Sequence, residues 1–175
     1  IVRHRFFSRL VNPPRLLASH RLVDHSDPRM SAAGEPLDDL RDALIQRKKT
    51  RLVILGEPGC GKTTTLERLT LDLARRRLND PSHEKLPLPV DLFDFNTTPP
   101  DPVEFLRGKW RETGLARDFD EAVLAGEICF LLDGVNQMGF EDRADRVSRW
   151  KEWARRLAGD HWAVFTCRSL DYQTL

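Results

Sequence analysis

Short apolar runs alternate along the chain with stretches whose apolar residues recur at three- and four-residue spacing. Arg51-Leu-Val-Ile-Leu55 is apolar and β-branched and ends at a glycine, which predicts a buried parallel strand. Ile128-Cys-Phe-Leu-Leu132 and Trp162-Ala-Val-Phe-Thr-Cys167 predict two more. Leu86–Phe95 alternates towards its end and carries Pro87 and Pro89, so it predicts an edge strand or a strand that starts after the prolines. Helical spacing appears in Leu37–Lys49 (Leu40, Leu44 and Ile45) and in Lys62–Leu78 (Leu66, Leu69 and Leu73). It recurs in Asp101–Gly114 (Val103, Phe105, Leu106 and Trp110) and in Asp142–Ala158 (Val147, Trp150, Ala154 and Leu157). Asp118 is placed to cap a short helix over Asp120–Ala125. Trp150 and Trp153 read as core packing, and Arg75-Arg76-Arg77 as a solvated helix end.

This alternation predicts an α/β fold of three layers, with a mostly parallel sheet and helices on both faces. Pro13-Pro14, Asp27-Pro28 and Gly34-Glu-Pro36 interrupt the first part, so residues 1–36 form a partly irregular N-terminal extension and 37–175 the core. Lys and Arg total 28 against 27 acidic residues, and a net charge of +1 provides no field for nucleic acid. No apolar run approaches the roughly 20 residues of a membrane span. Cys60, Cys129 and Cys167 lack metal-ligand spacing and are odd in number, which fits a reducing, cytoplasmic setting. The chain begins at Ile1 without Met or a signal pattern and reads as a piece of a longer protein.

Gly56-Glu57-Pro58-Gly59-Cys60-Gly61-Lys62-Thr63 fits G-x-x-x-x-G-K-[ST], between an apolar strand and an amphipathic helix. Glycines let the backbone turn its N–H groups onto phosphate oxygens, and the helix N-terminus adds partial positive charge. Lys62 is expected to reach the β- and γ-phosphates, and the Thr63 hydroxyl to ligate Mg2+. Thr64 follows, near the α-phosphate, and Cys60 reads as a small filler.

Leu131-Leu132-Asp133 is a buried run ending in one carboxylate, a candidate Mg2+ ligand opposite Thr63. Asn136 and Gln137 follow where a second carboxylate would activate water; an amide can orient water without accepting its proton, so slow turnover is expected. Glu141 and Asp142 are nearby substitutes that read more simply as loop residues. Arg168 is the one cation expected at a strand end, where open α/β sheets bind ligands, and is a candidate γ-phosphate sensor. The plainer alternative pairs it with Asp171 or Asp133.

Gly56–Thr64, Leu131-Leu-Asp-Gly-Val135 and Phe165-Thr-Cys-Arg168 together resemble a NACHT-type P-loop NTPase of the STAND class, over roughly residues 37–175. Leu86-Pro-Leu-Pro-Val-Asp-Leu92 resembles the strand between the two phosphate-site motifs of that family. The resemblance implies a switch in defence or regulatory proteins that holds ADP when closed and self-associates with ATP, GTP being the other candidate. It also implies Asp133 and Arg168 as Mg2+ and sensor positions, and effector, sensor, helical and winged-helix regions outside the chain. Asn136 and Gln137 depart from the family's usual acidic residues. P-loop sheets of this class usually carry another strand beside the first; without one, Arg51–Leu55 would have a bare, association-prone edge.

Overall fold

A computed structural model describes residues 21–22, 44, 50–97, 101–139, 142–157 and 161–172. The strands are β1 (Arg21–Leu22), β2 (Arg51–Leu55), β3 (Leu86–Asp91), β4 (Ile128–Asp133) and β5 (Trp162–Cys167). The helices are α1 (Lys62–Asn79), α2 (Pro102–Glu112), α3 (Phe119–Leu124), α4 (Arg143–Arg156) and α5 (Ser169–Tyr172). The sheet order is β1-β2-β5-β4-β3, and β2, β5, β4 and β3 run parallel. This is the expected α/β P-loop NTPase architecture.

Alternation along the strands divides the core. On β4, Phe130 and Leu132 join Phe105, Trp110, Trp150 and Phe165 on one face of the sheet. Cys129 and Leu131 join Leu52, Ile54, Leu66, Leu69, Leu73 and Val164 on the other. Thus α1 covers one face, while α2, α3 and α4 cover the opposite one. Burial on both faces explains why β4 and β5 read as continuous apolar runs. Fully burying Leu66, Leu69 or Leu73 contributes about 1.5–3 kcal/mol per side chain before entropy costs. From β2 the chain crosses with α1 to β3 at the far edge, then returns through β4 to β5 beside β2. Crossing outward on one face and back on the other keeps successive parallel connections in the same hand.

Trp150 and Trp153 pack edge-on, with ring centroids 5.2 Å apart, and Trp153 meets Phe130 at 5.0 Å. They are core residues, as their spacing predicts. Asp118 caps α3 by accepting the Glu121 N–H at 3.0 Å, and Asp101 caps α2 through Val103 N–H at 2.7 Å. In the Arg75–Arg77 run, Arg76 pairs with Asp72 one turn back, and Arg77 bonds the Glu84 carbonyl and Glu127.

One expectation requires correction. The strand expected over Leu86–Phe95 stops at Asp91, whose Oδ1 accepts the Phe93 N–H at 2.9 Å and turns the chain into a 3-10 helix at Leu92–Thr97. Leu92 and Phe95 are buried while Phe93 is exposed, which is the three-residue spacing of that helix. Asp91, and not Phe95, therefore ends the strand. Pro87 and Pro89 lie within β3, the edge strand, which is the first of the two placements their sequence allowed.

The edge of β2 is not bare over its last two residues: Arg21 and Leu22 pair antiparallel with Leu55 and Ile54. This strand lies within the segment read as extension. Of the predicted helix Leu37–Lys49, Leu44 is helical and buried, and the remainder lies outside the described residues.

Candidate functional site

The loop between β2 and α1 sits beside the carboxyl end of β5, where Gly56 N–H donates to Cys167 O at 3.3 Å. Gly59 and Gly61 have φ of 76° and 96°, a region that L side chains enter at a cost. Gly61 leads directly into α1, whose N-terminus has no side-chain cap, so its first N–H groups remain open to an anion. Glu57 and Pro58 are exposed. Cys60 is half-buried; a Cβ on Gly56 would fall 2.4 Å from its Sγ, so the two residues require each other's size. Lys62 Nζ lies over the loop, donating to Gly56 O at 2.8 Å and Glu57 O at 3.0 Å.

Thr63, on the first turn of α1, donates from Oγ1 to Asp133 Oδ2 at 2.6 Å. Residues 70 apart in sequence thus meet where β2 and β4 end, with β5 between them. Thr166 on β5 bridges that gap. Its Oγ1 donates to Asp133 Oδ1 and accepts the Gly134 N–H at 2.8 Å. Each carboxylate oxygen therefore has a hydroxyl donor, and the carboxylate is held in one orientation. Among the described residues no three His, Cys, Asp or Glu side chains converge on a metal-sized site. A Thr hydroxyl beside one carboxylate is instead the hard-oxygen pair that Mg2+ accepts, with phosphate oxygens and water completing its shell. The donor chemistry fits.

The turn after Asp133 departs from expectation. Asn136 does not face solvent; it is 9% exposed, and its Oδ1 accepts the Arg168 backbone N–H at 3.2 Å. Gln137 is exposed, and its side chain lies over Gly134, where an added Cβ would fall 2.8 Å from Gln137 Cδ. Asp142 is an exposed residue before α4 with φ 67°, and Glu141 lies outside the described residues.

Arg168 occupies the carboxyl end of β5 and is exposed. Neither alternative salt bridge forms: the Asp133 oxygens are engaged by Thr63 and Thr166, and Asp171 lies 3.9 Å from Arg143. The loop, Lys62, Thr63, Thr64, Asp133 and Arg168 thus all lie at one end of the sheet. Burial, followed by the Asp171 charge, pushes the neighbouring Cys167 thiol up to about 11.

The family model of the NACHT domain matches residues 50–167. The chain belongs to the NACHT-domain family. As a NACHT domain it is a nucleotide-binding NTPase of the STAND type, a class whose chemistry uses nucleotide and Mg2+. No curated protein and no solved structure matches the chain. The matched span starts at the residue before β2 and ends with β5, so it contains the phosphate loop and Asp133 and stops one residue before Arg168.

Two NACHT-domain features of this site are not legible in sequence: the bond from Thr166 to Asp133 and the backbone contact that Asn136 makes. Thr166 lies in an apolar run where a β-branched residue reads as strand, and its bond to Asp133 depends on strand order. Asn136 reads as a water ligand by position, yet the turn geometry directs it to the Arg168 backbone.

Proposed function

We propose that the chain binds ATP with Mg2+ through Gly56–Thr64 and Asp133, hydrolyses it slowly, and uses the difference between ATP and ADP as a signalling switch. The observation that carries this reading is the 2.6 Å contact between Thr63 Oγ1 and Asp133 Oδ2, which joins the loop to the end of β4. The loop N–H groups and Lys62 bind phosphate oxygens, and Lys62 exchanges its two carbonyl bonds for them. Thr63 and Asp133 hold Mg2+, which supplies charge neutralisation on the phosphates. Thr166 fixes the carboxylate, and Arg168 senses the γ-phosphate.

Turnover is slow in this reading because the amide of Gln137 orients water without taking its proton. Self-association with ATP bound, GTP as the other base and a reducing cytoplasmic setting belong to the same reading; three free thiols are consistent with that setting. No described helix is long and apolar enough to cross a membrane. The core is taken to begin near Leu37, with 1–36 as an extension that lends Arg21–Leu22 to the sheet.

The test is a Mg2+ titration of triphosphate binding in the parent, Thr63→Ala and Asp133→Asn. The expected result is Mg2+-enhanced binding in the parent that both substitutions abolish. Equal enhancement in all three proteins would overturn the assignment of Thr63 and Asp133. A second reading, a nucleotide-holding scaffold without useful hydrolysis, is favoured by the engagement of Asn136 with the backbone. Measurable phosphate release that falls in Gln137→Ala supports the switch; no release from either protein supports the scaffold.

A further inference from the structure

The bond from Arg168 N–H to Asn136 Oδ1 joins two segments that the phosphate site needs in register. Residue 168 leaves β5 at a junction held on both sides. Its predecessor's carbonyl, Cys167 O, accepts from Gly56 N–H of the phosphate loop, and its own N–H is held by Asn136 of the turn after Asp133. Arg168 O in turn accepts the Tyr172 N–H at 3.0 Å, which closes α5.

The turn that carries Asn136 is itself fixed. Gln137 N–H donates to Gly134 O at 2.8 Å, and Gly134 adopts a φ of 82°. Arg143 donates to Asn136 O at 2.8 Å and to Met138 O at 3.2 Å, and its guanidinium lies 3.9 Å from Asp171 on α5. Asn96 Nδ2 donates to Gln137 O at 3.2 Å. Asn136 is therefore a buried acceptor on a rigid turn, aimed at the backbone of an exposed arginine.

We infer that Asn136 is a positioning residue for Arg168: it fixes the backbone from which the guanidinium reaches the terminal phosphate, and so sets the preference for triphosphate over diphosphate. This rests on the reading of Arg168 as the γ-phosphate sensor. The side chain expected to orient water is used instead to couple the Asp133 turn to the sensor strand. Only triphosphate depends on Arg168, so loss of the brace acts on ATP and spares ADP, whose phosphates are held by the loop.

The experiment measures Mg-ATP and Mg-ADP affinities for the 175-residue chain and for Asn136→Ala, Asn136→Asp and Arg168→Ala, with thermal midpoints as a fold control. Loss of one buried hydrogen bond that orders a charged group is expected to cut the ATP-over-ADP ratio by about tenfold in Asn136→Ala. ADP affinity stays within about twofold. Asn136→Asp keeps an acceptor oxygen and restores the ratio. A parallel loss of ATP and ADP affinity in Asn136→Ala, or an unchanged ratio while Arg168→Ala abolishes it, overturns the brace and leaves the Arg168 reading intact. An unchanged ratio in Arg168→Ala removes the sensor reading, and the brace with it.

Discussion

Replacing Thr166 by Val preserves the shape of the side chain and deletes one hydroxyl. That hydroxyl donates to Asp133 Oδ1 and accepts the Gly134 N–H at 2.8 Å, and Thr166 is 1% exposed. Gly134 is also buried, so its N–H would lose its partner where water does not easily replace it. An unsatisfied buried donor costs about 1–3 kcal/mol, and a hydrogen bond to a charged acceptor contributes about 1.5–3 kcal/mol. Asp133 is half-buried and recovers part of its loss from solvent, which leaves a net cost of about 3 kcal/mol. In a chain of this size that lowers the thermal midpoint by about 10 °C. Thr166→Ser keeps the hydroxyl and loses one methyl, about 1 kcal/mol and about 3 °C. Thermal unfolding followed by circular dichroism without nucleotide gives the order parent, Ser, Val. If Val melts within about 2 °C of the parent, or above Ser, then Thr166 contributes packing and not polar bonding, and the account of the carboxylate fails.

Gly61→Ala places a side chain at φ 96° and should lower stability by about 1–2 kcal/mol in urea unfolding while weakening nucleotide binding; an unchanged midpoint would contradict the strain. Burial raises the Cys129 and Cys167 thiols, the latter to about 11, whereas Cys60 is half-buried in the loop. A disulfide reagent at pH 8 should therefore react rapidly with Cys60 alone in the folded chain and with all three cysteines in denaturant; fast native reaction at Cys167 would refute its burial. The same raised thiol pKa means that folding retains the Cys167 proton more tightly than the unfolded chain does. Its stabilisation is full below about 9 and is lost as pH rises through about 11, so urea midpoints measured across that window should fall less in Cys167→Ala than in the parent.

The elements legible from sequence were those whose signal is local. Arg51–Leu55 and Ile128–Leu132 are apolar because both sheet faces are covered, and the phosphate loop announces itself through glycines at 59 and 61 that need positive φ. The cap at Asp118 is equally local. Leu86–Phe95 misled because Leu92, Phe93 and Phe95 fit either period, and the deciding bond, Asp91 to Phe93 N–H, is a side-chain detail. Arg21–Leu22 lies in a stretch without periodicity, and two residues that pair with β2 leave no pattern to read. At the site, Thr63 and Asp133 belong to local motifs and Arg168 to a strand end, and the sheet order brings them to one end. Thr166 and the Asn136 brace depend on which strand lies between which, and that arrangement is a property of the fold rather than of any window of sequence.

If Gly56–Thr64 holds nucleotide phosphates as proposed, Lys62 is the side chain whose loss removes them. Denaturing purified parent and Lys62→Ala protein, separating the nucleotide each releases, and then titrating each with Mg-ATP tests it in one comparison. The expected result is nucleotide released from or bound by the parent and neither in Lys62→Ala, with an unchanged thermal midpoint as the fold control. Equal retention and binding by both proteins, or no binding by the parent, would contradict it.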